Sequence, residues 1–443
     1  MPDIDRIYRE MNGLTDDNAR LSYAAVASRN SNNPPSGSSG RQYPRSSALD
    51  QNSSGTGALH RHPVRPSQGL QRTRSESSKH REAGSANNTT QRMPSGYSEH
   101  AGIRWAPLSI GLRRRLQTLV VLLHTVSIAI LLAMFFFSCA IPLFWPFLFP
   151  YIIYISLFSK AATNGTLKRR SNFLRSLRIW RFFGAYFPAR LHRSQPLPAT
   201  RKYIFGYHPH GIISHGAFAA FATEGLGFSK LFPGITNTLL TLDSNFRLPF
   251  YRDYALAMGL ASVSRESCEN LLSKGGLNDE GMGRAITIVI GGAQESLDAQ
   301  PNTLRLILRR RKGFVKMAIC TGADLVPILA FGENELYEQV APDQHPLIHK
   351  FQMLMKRTMG FTIPLFHARG VFNYDVGLMP YRRPLNIVVG RPIQVVQQAD
   401  RDKIDDHYVD ELHAKYIQEL RRLWDEYKNT FAMERTSELE IVA

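Results

Sequence analysis

What this 443-residue chain lacks narrows its chemistry before any motif is read. It has only three cysteines, Cys139, Cys268 and Cys320, too far apart for a metal-ligand set or a disulfide framework. Its soluble part is therefore expected to face the reducing cytosol. It contains no Gly-x-Gly-x-x-Gly and no Walker loop, so nucleotide chemistry has no support. No serine or cysteine sits in a recognisable nucleophile elbow, which favours direct attack by a substrate group over a covalent enzyme intermediate. The net charge of +18 comes without any nucleic-acid module, and its basic residues are spread along the chain. A surface bearing anionic lipid fits that charge better than nucleic acid does.

Charge itself is missing from one long stretch. Residues 116–159 hold no Asp, Glu, Lys or Arg, a run of 44 residues against the ~20 that one helix needs to cross a bilayer core. Two passes fit this length. Pro142, Pro146 and Pro150 punctuate its second half and point to a re-entrant hairpin with a broken turn. Arg113, Arg114 and Arg115 precede the run and Lys160, Lys168, Arg169 and Arg170 follow it, so both ends are expected in the cytosol. Before the run, residues 1–110 are rich in Ser, Asn, Gly, Arg and Pro and read as a disordered polar arm. The expected organisation is an arm over 1–110, a membrane-embedded helical hairpin over 111–160 and a cytosol-facing domain over 161–435.

That domain alternates strand and helix character and reads as α/β. Strands are expected at residues 203–205, 285–290, 325–331 and 386–389, all apolar and mostly β-branched or aromatic, as strands covered on both faces should be. Tyr408, Leu412, Tyr416, Leu420, Leu423 and Tyr427 trace one face of a closing amphipathic helix.

The chemistry is expected where the first of these strands runs out, at Gly206-Tyr207-His208-Pro209-His210-Gly211. Pro209 biases His208 away from helical angles, and Gly206 and Gly211 allow a tight turn, so both imidazoles are expected to be displayed. A neutral histidine at a helix N-terminus suits a proton acceptor. The plainer alternative is a turn whose histidines only bond nearby backbone. Glu295 follows the strand at 285–290 across Gly291-Gly292. If the two strands are neighbours, Glu295 can fix the imidazole tautomer; the same position also suits an acid held by a helix dipole. Arg309, Arg310, Arg311 and Lys312 form a basic cluster laced with aliphatics. Phosphates of a coenzyme A thioester or lipid head groups would be drawn to it, unless it is merely a solvated helix face.

These residues closely resemble the type-2 diacylglycerol acyltransferase family, which includes monoacylglycerol and wax-alcohol acyltransferases. The matches run in the family's order: Tyr186-Phe187-Pro188; the stretch from Tyr203 through His208-Pro209-His210-Gly211; Phe232-Pro233-Gly234; Asn245-Phe246-Arg247; Gly291-Gly292-Ala293 with Glu295; Arg311-Lys312-Gly313-Phe314; Gly322-Ala323-Asp324; and Phe331-Gly332-Glu333-Asn334-Glu335. The resemblance implies a glycerolipid-acyltransferase-like mixed sheet flanked by helices. It implies acyl transfer from acyl-CoA, a co-substrate, to diacylglycerol, with no bound cofactor or metal, at the endoplasmic reticulum membrane and lipid droplets; a homo-oligomer stays open. His210 becomes the base, His208 a second catalytic histidine and Glu295 the partner acid. Pro209, Gly211, Gly291, Gly292, Arg309, Arg310, Arg311 and Lys312 become substrate-binding residues. The wider glycerolipid acyltransferase group places Asp five residues after its His; here that position is His215. The same resemblance leaves a monoacylglycerol or long-chain alcohol as alternative acceptor, and a noncatalytic lipid-droplet scaffold as the remaining reading.

Overall fold

The computed structural model describes residues 98–100, 103–107, 109–339 and 366–442. The chain divides into two units, residues 1–88 and 89–443, and the elements below belong to the second. Most of the expected arm lies outside the described residues. Its final part is not featureless, because Ser98–His100 and Ile103–Trp105 pair as a small antiparallel ladder.

Strands β1 (Arg190–Arg193), β2 (Tyr203–His208), β3 (Thr236–Thr241), β4 (Ala261–Ser262), β5 (Arg284–Val289), β7 (Asp324–Phe331) and β8 (Asn386–Val389) form one sheet in the order β1-β8-β7-β2-β5-β3-β4. The pairs β7-β2, β2-β5, β5-β3 and β3-β4 are parallel. Strand β8 runs antiparallel to β7 and parallel to β1. The sheet is therefore mixed, with β2 at its centre. The short strand β6 (Arg305–Ile307) lies outside it and pairs with β9 (Glu440–Val442).

Side-chain alternation sorts the sheet into two packed faces. Tyr203, Phe205, Tyr207, Val326 and Ile328 join the core on one side; Ile204, Ile286, Leu325, Leu329 and Phe331 join the core on the other. The first face is covered by helix α1 (Leu112–Thr125) through Val121, by α4 (Ile179–Tyr186) and by the helical segment after the His turn. The second is covered by α6 (Arg265–Ser273), α8 (Gly313–Thr321) and the long α9 (Asp406–Phe431). Helix α9 buries Leu412, Tyr416, Leu420 and Leu423, the stripe its 3.6-residue spacing calls for.

The charge-free run folds as α1, α2 (Ser127–Cys139) and α3 (Trp145–Ile153). No single described helix is long and apolar enough to cross a membrane; α1 and α2 pass that test together but bend by 62°. One break thus falls at Val126, ahead of the prolines, and a second at residues 140–144, where Pro142 opens a single 3₁₀ turn between α2 and α3. Pro146 falls in the first turn of α3, where its missing N–H costs no helical bond. Leu119, Leu123, Phe136, Phe137, Phe147 and Leu157 remain exposed. Arg382 ties α1 to the sheet domain, donating to Gln117 Oε1 at 2.7 Å and lying 4.1 Å over the Tyr186 ring. Helix α5 (Tyr251–Ala257) packs near this segment, where Tyr151 donates to Asp253.

Candidate active site

Strand β2 delivers its last residues to the carboxyl edge of the parallel strands, where open α/β sheets place their ligands. His208 ends the strand, and a cis peptide leads to Pro209. Gly211 then takes φ +57°, and a Cβ there would meet Glu333 Cγ at 2.7 Å, so only glycine fits. The chain enters a helix at His215–Ala217 that continues as a wider turn over Phe218–Ala222.

The two histidines part company. His208 was expected on display but is fully buried. Tyr416 on α9 donates to the Gly206 carbonyl at 3.1 Å, so its oxygen accepts from His208 Nε2–H at 3.0 Å. His208 Nδ1 is buried without a partner, and burial drives the imidazole's pKa down to about 3. His208 is a neutral tie between β2 and α9, held there because helix packing fills the space above the strand end.

His210 is only partly buried. Its Nδ1 lies 2.9 Å from the Gly211 carbonyl, which only accepts, so Nδ1 carries the proton and Nε2 holds the lone pair. Nε2 has no partner among the described residues. Burial pulls its pKa below the usual value, against the opposing pull of the Gly211 carbonyl. The ring is a neutral base with one open nitrogen.

Strands β2 and β5 are parallel neighbours, so Glu295, on α7 (Gly292–Leu297) just after β5, does come off the same edge. Its carboxylate is not on the imidazole, however. Oε1 accepts the main-chain N–H of His210 at 2.6 Å and Oε2 that of Ile307 on β6 at 2.8 Å. Glu295 therefore fixes the turn's backbone and not the ring's tautomer, which Gly211 sets. It is 1% exposed, and burial raises its pKa to about 7 despite those two amides and Arg311. Gly291 packs on this carboxylate: a Cβ would meet Glu295 Cδ at 2.2 Å. Of the two glycines the resemblance makes substrate-binding, Gly291 is packed on Glu295, whereas Gly292, at φ +62°, has open space beside it.

Residues 135–442 match the family described as Diacylglycerol acyltransferase. The chain is 48% identical to Diacylglycerol O-acyltransferase 2A of Umbelopsis ramanniana, over 76% of this chain and 94% of that one. It is 45% identical to Diacylglycerol O-acyltransferase 1 of Schizosaccharomyces pombe, over 76% and 96%. The 2-acylglycerol O-acyltransferase 1 of Bos taurus is 42% identical, over 75% and 97%. The chain belongs to the diacylglycerol acyltransferase family. The 1-acyl-sn-glycerophosphate acyltransferase PlsC from Thermotoga maritima superposes with a TM-score of 0.32 at 13% identity, covering 70% of this chain and 97% of that one, too loosely to bear on the site.

In this acyltransferase the residue after the His turn that the wider group would make acidic, His215, bonds Tyr337 Oη at 2.8 Å and stacks on Phe187. Its ring is fully buried and belongs to the core. Sequence reasoning quoted Glu333 within a motif but gave it no role, and the structure supplies one. Glu333 Oε2 accepts from Tyr207 Oη at 2.6 Å and from Gly216 N–H at 3.0 Å, and the His215 N–H also bonds this carboxyl. Its Cγ lies under Gly211. The His turn is thus clamped between two buried carboxyls, Glu295 on the β5 side and Glu333 on the β7 side. The signal available beforehand was a Gly-Glu pair directly after a buried strand, as Glu295 also follows glycines at the end of β5.

Pro209 lines a cavity of about 360 Å³ beside the turn. The basic cluster is placed at the start of α8. Arg309, Arg310 and Arg311 are exposed, with Arg309 donating to the Ile441 carbonyl. Lys312 is committed to Asp410, and the neighbouring Lys316 to Asp406, both on α9. Lys312 therefore joins two helices, leaving the three arginines as the solvent-facing part of the cluster.

Proposed function

We propose that the acyltransferase moves a fatty acyl group from acyl-CoA to the free hydroxyl of diacylglycerol, yielding triacylglycerol and CoA. The observation that carries the mechanism is the His210 ring, neutral, with Nε2 open and Nδ1–H spoken for. His210 Nε2 takes the hydroxyl proton as the alcohol oxygen attacks the thioester carbonyl. The new C–O bond forms, the C–S bond breaks, and the imidazolium returns its proton to the leaving CoA sulfur. Charge that builds on the carbonyl oxygen would meet the main-chain N–H groups of Gly211 and Ile212, which donate to no group among the described residues. Glu295 and Glu333 keep the turn rigid while this happens.

The apolar helices α1 to α3 dip into the endoplasmic reticulum bilayer from the cytosolic side, with both flanks cytosolic, and the same hairpin suits a lipid-droplet monolayer. This reading rests on the exposed Phe136, Phe137, Phe147 and Leu157 and on the basic flanks. It keeps the site where an insoluble acceptor is already concentrated. The test is His210→Ala in purified membranes given labelled oleoyl-CoA and diacylglycerol. Turnover should fall by ~10²-fold or more; near-normal triacylglycerol synthesis would remove His210 from this role. The resemblance to a 2-acylglycerol acyltransferase at 42% identity gives monoacylglycerol a place as second acceptor. A panel of diacylglycerol, monoacylglycerol and long-chain alcohol, with product identification, separates these.

A further inference from the structure

The cavity beside Pro209 has no part in the steps above. Its volume of about 360 Å³ falls in the ~300–1,000 Å³ range of small-molecule sites. Pro209, next to His210, and Glu333, packed under Gly211, are among its lining residues. Its aromatic wall comes from Phe331, Trp424 and Phe431, which pack on the α9 face of the sheet. Helix α1 covers the opposite face through Val121. The His turn therefore lies between the α1 layer on one side of the sheet and this cavity on the other.

The lining distinguishes between the two substrates. Asn302, Asn334 and Glu335 are at hand to bond amide or hydroxyl groups, and the charged residues are Arg383 and Arg435 against Glu333, Glu335 and Glu434. Arg435 is already paired with Glu438. The rest of the wall is largely apolar, with Phe331, Trp424 and Phe431 in it, and Arg383 and Arg435 are outnumbered by carboxyls, so it offers phosphates no cluster of cations. It suits a narrow, uncharged chain bearing amide N–H and C=O groups with short apolar links. We propose that this cavity holds the pantetheine arm of acyl-CoA, bringing the thioester to His210 from the α9 side while the glycerolipid arrives through the α1 layer. The nucleotide phosphates stay in water outside the rim. The placement rests on the acyl-CoA-dependent reading given above.

Two measurements on the full-length chain in phosphatidylcholine nanodiscs test it. In the wild type, added CoA should slow amide exchange in peptides spanning residues 302–304 and 430–435 and leave α1 and α4 unchanged. Thr430→Trp fills the rim at an exposed position; it should raise KM for oleoyl-CoA about tenfold, with KM for dioleoylglycerol and the unfolding midpoint unchanged. CoA protection confined to α1 and α4, or an unaltered oleoyl-CoA KM in a folded Thr430→Trp chain, overturns the placement. If Thr430→Trp does not fold, the wild-type exchange pattern decides alone. Normal acyl transfer with protection elsewhere sinks only the placement; a wild type that takes no acyl group from oleoyl-CoA onto any acceptor sinks the functional reading with it.

Discussion

At the scale of single residues, environment gives two like side chains two different tasks. His208 and His210 are two positions apart, yet one is a buried strut and the other an open base. Replacing His208 by Ala removes a buried ring and leaves Tyr416 without its donor, so it should cost ~2–4 kcal/mol of stability, read as a lower unfolding midpoint. His210→Ala should leave that midpoint within a degree or two of the wild type. A reversed ranking would show that the ring assignments are wrong. Because burial holds His210 below its usual pKa, the acid limb of the pH–rate profile should lie below pH 6.5; a limb at or above that value would contradict a neutral, desolvated base. Glu333 titrates the other way. Burial raises its pKa from 4.5 to about 7, so the folded state binds this proton more tightly than the unfolded one. Its contribution to stability is full below pH 4.5 and is lost as pH rises through about 7. Glu333→Gln should therefore gain on the wild type across that window, by up to ~3 kcal/mol, in urea melts run at several pH values. Parallel pH curves for the two chains would rule this out.

At the scale of elements, α9 does more than close the core. Its Tyr416 touches both Gly206 and His208, while Asp406 and Asp410 hold Lys316 and Lys312 on α8. Gly206 has no room for a side chain because Tyr416 Oη occupies the space, 1.9 Å from where a Cβ would sit. Tyr416→Phe keeps the ring but deletes both bonds, and should cost ~1–3 kcal/mol and lower kcat more than either KM, since the strand end that carries His210 loosens. Equal kcat in the variant would confine Tyr416 to packing. The exposed ion pairs of α8 with α9 are worth little singly, and Lys312→Ala should leave stability within ~1 kcal/mol.

At the scale of the whole molecule, α1 covers one face of the sheet and α9 the other, with the edge that carries the His turn between them. The lipid-facing reading of α2 makes a direct prediction. Phe136 and Phe137 are 62% and 69% exposed, so Arg at both positions costs the folded domain nothing. In a bilayer each Arg costs ~2.5–3.5 kcal/mol. The double variant should shift from carbonate-resistant membranes to the soluble fraction while keeping its unfolding midpoint in detergent. Unchanged partition would place α2 away from lipid.

Much of this was written in the order of residues alone. The strands at residues 325–331 and 386–389, the amphipathic stripe of α9 and the Gly-Pro-punctuated His turn are local patterns, and local patterns survive into the fold because backbone sterics and side-chain period act over a few residues. That Glu295 and the His turn come off the same edge of the sheet was legible from the strands that precede them. That His208 is buried was not, because burial depends on what α9 lays over β2 from some 200 residues away. Nor could the sequence tell that Glu295 grips a backbone N–H and not a ring, that Glu333 grips the other side, or that the bend between α1 and α2 falls at Val126. Those are decided by which strands become neighbours and by how the space between them is filled, and only the packed chain settles either.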